Sequence, residues 1–386
     1  MGVGAASLRR FSVEDVNTHK RQIIGIAALA AAFAVGLCGC AANESPAVAP
    51  DAGSGEPVAS ASALSGTLSG SGATSAKAAQ DKWIAQFQMA NPGVTVNYSP
   101  VGSGAGRTAF IEGGAQFAGS DAALSDSESG GTFAGCAPGS KALDLPAYIS
   151  PIAVVFNLDG VSGLTLDEKT LAGIFAGTIT TWNDPAIAAT NPGVTLPGTA
   201  ITAVHRSDDS GTTQNFTDTL HALAGSVWTW DAASTWPDGV KGEAANGTSG
   251  VIQAVQGGSG TIGYADASQA GSLGKAKLLV SGKAVEPTAE AAAAIVDHSP
   301  LVAGRDVNDL ALNLDRTSEG VYPAVLVSYL IVCQQYAKPA DGALVKAYVG
   351  YVTSAQGQQD AASSAGSAPL SGAMQAKVAA AVASIR

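Results

Sequence analysis

Short apolar runs alternate with stretches of helical period along most of this chain. Val94-Thr95-Val96-Asn97-Tyr98 alternates apolar and polar positions, the two-residue period of a strand. Ile152-Ala153-Val154-Val155-Phe156 is apolar throughout, as in a strand covered on both faces. Ile201–Val204 and Ala324–Val327 read as two more strands. Between them, Ala76, Ala79, Trp83 and Phe87 fall at helical spacing, as do Phe216, Leu220 and Leu223. Strands alternating with helices predict an α/β architecture with mainly parallel sheets. Asn-Pro-Gly-Val-Thr occurs at Asn91–Thr95 and again at Asn191–Thr195, each read as a turn feeding a strand. No longer repeat is visible, so a solenoid is not expected.

The N-terminus follows another pattern. Arg9, Arg10, Lys20 and Arg21 precede an uncharged run from Ile23 to Leu37, 15 residues long. A spanning helix needs about 20. A basic start, a short apolar run and then small residues describe a secretory signal over residues 1–39. The run ends in Leu37-Cys38-Gly39-Cys40, which resembles the bacterial lipobox, with Cys40 as the lipidated residue and Cys38 where Ala, Ser or Thr is usual. The other reading is a single anchoring helix with two incidental cysteines. Residues 40–63, rich in Ala, Ser, Pro and Gly, read as a flexible tether. Cys136 and Cys333 remain, and outside the cytoplasm such a pair forms a disulfide or stays as two buried thiols.

Composition narrows the function. At 386 residues the chain has room for two domains, and 46% apolar residues suffice for their cores. The net charge of −11 disfavours a nucleic-acid partner. His19, His205, His221 and His298 show no metal-ligand spacing, so neither a metal nor a cofactor is expected. Gly258–Gly263 fits GxGxxG without the strand-then-helix setting of a dinucleotide site, and Gly102–Thr108 imitates a P-loop but is one residue short. No GxSxG is present.

Three small-residue turns, each leading into a helix, carry the candidate chemistry. They are Gly70–Ser75 before the Trp83 helix, Gly102–Gly106 before a helix over Thr108–Glu112, and Ser210–Thr213 before the Phe216 helix. Glycine lets backbone N–H groups approach a ligand, Ser and Thr add hydroxyls, and a helix N-terminus adds partial positive charge. Each turn by itself also fits an ordinary capped helix. Arg206 follows the Ile201–Val204 strand and offers a fork for an oxyanion, with Asp208 placed to hold it. Asp121 ends the segment Phe117-Ala118-Gly119-Ser120.

Together these segments resemble the phosphate-binding lipoprotein of bacterial phosphate ABC transporters. The resemblance runs from about Leu64 to Arg386 through Gly70–Ser75, Val101–Gly106, Phe117–Ser125 and, most specifically, Arg206–Thr212. Leu171–Ile187 is a further family-like run without an evident ligand role.

The resemblance implies a two-lobed periplasmic-binding-protein-like fold (type II), with discontinuous lobes joined by a hinge. One lobe is expected at 64–150 plus 321–386 and the other at 151–320, which puts Cys136 and Cys333 in one lobe. It implies phosphate ligands at Thr74, Ser75, Ser103, Asp121, Arg206, Ser210, Gly211 and Thr212, supported by Asp208. Asp209 stands where the family often has Gly, so it either weakens anion binding or points to solvent. The implied role is phosphate capture at the outer face of the cell membrane by a lipid-anchored monomer, with delivery to a permease and no catalysis. A secreted phosphatase or other phosphoryl-transfer enzyme is the alternative, and an adhesion or structural lipoprotein a third reading.

Overall fold

A computed structural model describes residues 64–386. The expected signal, Cys40 and the tether through residue 63 lie outside the described residues.

The strands are β1 (Gly66–Gly72), β2 (Val94–Pro100), β3 (Phe117–Ser120), β4 (Ala142–Asn157), β5 (Thr165–Asp167), β6 (Thr202–Arg206), β7 (Glu243–Ala245), β8 (Thr261–Asp266), β9 (Gly274–Lys275), β10 (Lys277–Val280), β11 (Lys283–Val285) and β12 (Val325–Cys333). The helices are α1 (Lys77–Ala90), α2 (Ser103–Ile111), α3 (Asp126–Ser129), α4 (Glu168–Phe175), α5 (Pro185–Thr190), α6 (Gly211–Ala224), α7 (Gly247–Gly257), α8 (Ala289–His298), α9 (Pro339–Val352), α10 (Ala355–Ala365) and α11 (Gly372–Ser384). Among the described residues no helix is long and apolar enough to cross a membrane.

All four expected strands form. The apolar run Ile152–Phe156 is the second part of the 16-residue β4, buried along nearly its whole length. The other eight strands of the described residues were not expected, among them β1, whose Gly and Ser residues carry no apolar period. Packing demands them: a side chain on Gly70 would collide with the buried Phe117 ring. Helix α1 buries Ala79, Trp83 and Phe87 as its period predicts, and the Trp83 indole donates to the Gly357 carbonyl at 2.7 Å.

The main sheet runs β2-β1-β3-β12-β4-β8-β6-β7, with β9 beside β4. It corrects the expectation of mainly parallel pairing. Its flanks are parallel (β1 with β2 and β3, β6 with β7 and β8). Its centre is antiparallel, where β12 meets β3 and β4, and β4 meets β8. The physical reason is that β4 and β12 are long strands running past each other in opposite directions rather than members of βαβ units. Along β4, residues Ala142–Pro151 pair with β12, and Ile152–Asn157 pair with β8. One continuous strand therefore changes partner between Pro151 and Ile152 and joins the β1–β3 half of the sheet to the β6–β8 half.

The second Asn-Pro-Gly-Val-Thr copy also departs from expectation. Its first copy feeds β2, but residues after Asn191 run as an irregular loop. Asn191 is spent on Thr165, accepting from its N–H and donating to its carbonyl, both at 2.8 Å, and Pro197 interrupts any ladder beyond. Around Gly258–Gly263 the order is helix α7 then strand β8, the reverse of a dinucleotide motif. The family-like run Leu171–Ile187 anchors in the core through Leu171, Phe175, Trp182 and Ile187; Trp182 is fully buried and its indole donates to the Gly260 carbonyl at 3.0 Å. Cys136 and Cys333 form a disulfide, with Cα atoms 5.4 Å apart, that ties the end of β12 to the loop before β4.

Candidate functional site

The two halves of the sheet meet over Asp121, which directly follows β3 and is 2% exposed. Ser75, in the turn between β1 and α1, donates its hydroxyl to both carboxylate oxygens at 2.7 and 2.8 Å. Thr212, in the first turn of α6 on the other half, donates to Oδ2 at 2.7 Å. The backbone N–H of Asp121 donates to Ser103 Oγ at 3.2 Å, and its carbonyl accepts from the Asn215 amide at 2.6 Å.

Gly211 makes this approach possible. A Cβ there would lie 2.7 Å from the Ala122 nitrogen and 2.8 Å from Ser103 Oγ, so any side chain would force α6 away from β3. Helix α2 begins at Ser103, earlier than the Thr108 expected, so Ser103 to Gly106 form its first turn. Both α2 and α6 thus start at the site, and the leading N–H groups of each lack intrahelical partners. Ser210 caps α6 by accepting from the Thr213 N–H at 3.1 Å.

Arg206 ends β6 and is 2% exposed. Asp208 holds it as expected: Nε donates to Oδ1 at 2.7 Å and Nη2 donates to Oδ2. Asp208 also accepts from the Gly247 N–H at 3.0 Å. Burial pushes the Asp208 carboxyl up, but the Arg206 bonds and charge, with the Gly247 N–H, outweigh it and hold the group below its usual range. For Asp121 burial wins, and its affinity for a proton is raised although Ser75, Thr212, Ser328 and Arg206 all favour the ionised form.

Thr74 meets a partner the sequence did not suggest. Its hydroxyl lies 2.9 Å from Thr248 Oγ1 and accepts the Thr248 N–H at 3.0 Å, so the start of α7 also faces the site. The Gln269 amide donates to the carbonyls of Thr74 and Ser75 at 2.9 and 2.8 Å and fixes their turn. Among the described residues, no group of three or more His, Cys, Asp or Glu side chains is arranged to hold a metal ion.

Residues 57–356 match the sequence model of a PBP superfamily domain. The chain is 40% identical over 293 residues to the phosphate-binding protein PstS 3 of Mycobacterium tuberculosis, covering 73% of this chain and 77% of that protein. Its identity to PstS 2 of the same species is 37% over 325 residues, covering 82% and 86%. The chain belongs to the PstS family of phosphate-binding proteins. Among solved structures, it resembles a high-affinity periplasmic phosphate-binding protein with bound phosphate, at 26% identity and a TM-score of 0.66, covering 82% of this chain and 93% of that one. A substrate-binding protein from Clostridium perfringens shares the fold at 20% identity and a TM-score of 0.56, covering 78% and 98%.

In this PstS-family chain, the fold draws Ser75, Ser103, Asp121, Gly211 and Thr212 into mutual contact, and Arg206 with Asp208 onto the same seam. Sequence reasoning passed over Arg107, Thr248 and Gln269. Arg107 sat in the false P-loop, and Asn246-Gly247-Thr248-Ser249 is a small-residue helix start of the same kind as the other three. Gln269 carried no local signal, because its contact is long-range.

Proposed function

We propose that this protein captures inorganic phosphate outside the cytoplasm, between two closing lobes, and delivers it to an ABC permease. The observation that carries this is the buried Asp121 carboxylate at the meeting of two helix starts and a serine turn from opposite halves of the sheet. Hydrogen phosphate presents both an accepting face and a proton to donate. The amides and hydroxyls of Thr74, Ser75, Ser103, Ser210, Gly211 and Thr212, with the Arg206 fork, suit the accepting oxygens. Asp121 suits the proton. Sulfate has no proton to give near neutral pH, so it meets a desolvated carboxylate with nothing between the two charges.

The lobe boundaries belong to this reading. The partner change on β4 between Pro151 and Ile152 supports a division close to 150/151, a return path through β12 and a hinge at the β4–β12 pair. Closure then brings α6 and α7 against the turns at Ser75, Ser103 and Thr74. Lipidation at Cys40 and attachment to the outer face of the membrane, supported by the sequence pattern of the first forty residues, complete the proposal, with the protein acting as a monomer. The related proteins are named for phosphate binding and give the phosphoryl-transfer alternative no support.

Calorimetric titration of the ligand-stripped protein with phosphate, and separately with sulfate, tests the reading. Saturable phosphate binding with sulfate far weaker is expected; absence of phosphate binding overturns it.

A further inference from the structure

Asp209 keeps 45% of its side chain exposed, yet it does not stand as a bare charge beside the anion site. Its backbone carbonyl accepts the Gly104 N–H at 3.2 Å. Its carboxylate lies over Gly104, where any Cβ would collide with it. From there Oδ1 is 3.6 Å from Nη2 of Arg107. Arg107 is on α2 and its side chain is 9% exposed. It is already oriented by Glu128, at 3.0 Å from Nε, and by Ser120 Oγ, 3.3 Å from Nη1. Asp209 comes from the β6–α6 connection, on the other half of the sheet. The neighbouring acid Asp208 is committed to Arg206 and the Gly247 N–H.

We infer that the Arg107–Asp209 pair is a latch between the two halves, which stabilises the closed arrangement around the ligand. This rests on the phosphate-capture reading of the site. The pair crosses the seam, so it exists only when the halves meet. A contact made in one state and not the other shifts the population toward that state. It also reverses the effect expected of Asp209. An unpaired carboxylate beside a dianion would weaken binding by repulsion. A carboxylate whose charge is met by Arg107 only on closure strengthens binding instead.

Asp209→Asn separates the two. The latch predicts phosphate binding weakened roughly two- to fivefold in about 20 mM salt, the range for a part-exposed ion pair. The difference shrinks in about 500 mM salt as the pair is screened. Gly104→Ala, which displaces the Asp209 carboxylate without touching Arg107, weakens phosphate binding in the same direction, and adding Asp209→Asn to it has little further effect. Asp209→Asn binding phosphate as tightly as wild type, or more tightly, overturns the latch. A measurement without phosphate keeps the latch separate from the functional reading. Spin labels at the exposed positions Met89 and Val194 report the distance between the halves. The latch predicts that Asp209→Asn reduces the short-distance population of the ligand-free protein, and an unchanged distribution rejects it even if phosphate capture fails its own test.

Discussion

Replacing Asp121 by Asn removes one charge and keeps the side chain's size. The carboxylate is 2% exposed and takes hydroxyl bonds of 2.7 Å from both Ser75 and Thr212. Those hydroxyls can rotate and accept from an amide as well as donate to its oxygen, so the turn and the helix start stay in place. What changes is the bond to the ligand's proton. A hydrogen bond to a charged group contributes about 1.5–3 kcal/mol and a neutral one about 0.5–1.5 kcal/mol, so phosphate loses about 1–1.5 kcal/mol, or five- to tenfold in affinity. Sulfate moves the other way, because the variant no longer sets a buried negative charge against it. The preference for phosphate over sulfate therefore falls by at least about tenfold. Paired calorimetric titrations of wild type and Asp121→Asn with each anion measure the ratio. An unchanged ratio would refute the idea that the carboxylate reads the ligand's proton.

Arg206→Ala deletes the buried fork and leaves Asp208 without its main partner, so phosphate affinity is expected to fall by about a hundredfold or more. Retained affinity in the same titration would remove Arg206 from the site. Gly211→Ala puts a methyl group 2.7 Å from the Ala122 nitrogen and holds the halves apart. Phosphate binding should drop at least about tenfold while ligand-free thermal stability changes little, read by calorimetry and melting together. Burial and the neighbouring Asp309 push the fully buried Asp144 up to about 8. Between pH of about 4 and about 8 the folded chain then keeps a proton the unfolded chain releases, so stability falls as pH rises, by at most about 1.4 kcal/mol per unit. Asp266, raised to about 6 mainly by burial, adds a similar slope below that value. Melting of Asp144→Asn between about pH 6.5 and about 8 should therefore be flatter than wild type, and equal slopes would contradict the assignment.

The α/β class and the small-residue helix starts that come together at Asp121 could be read directly, because each depends on chemistry within a few positions. An alternating run such as Val94–Tyr98 is a strand wherever it packs. A Gly-Ser start before a helix offers N–H groups without intrahelical partners whatever lies opposite. β1 escaped because Gly70 answers to the Phe117 ring, which lies far along the chain. The antiparallel centre escaped because pairing direction is set by how β4 and β12 pass each other, not by their composition.

By itself, then, the sequence determined four of the strands, the helices of clearest period, which residue types gather at helix starts, and a basic start followed by a short apolar run. Tertiary structure alone decided that Asp121 is buried between two halves, that Thr74 faces Thr248, and that Arg107 reaches Asp209. Local patterns follow from backbone geometry within one or two turns of chain. Burial and ion pairing depend on which distant surfaces are pressed together, and that follows from the packing of the whole fold.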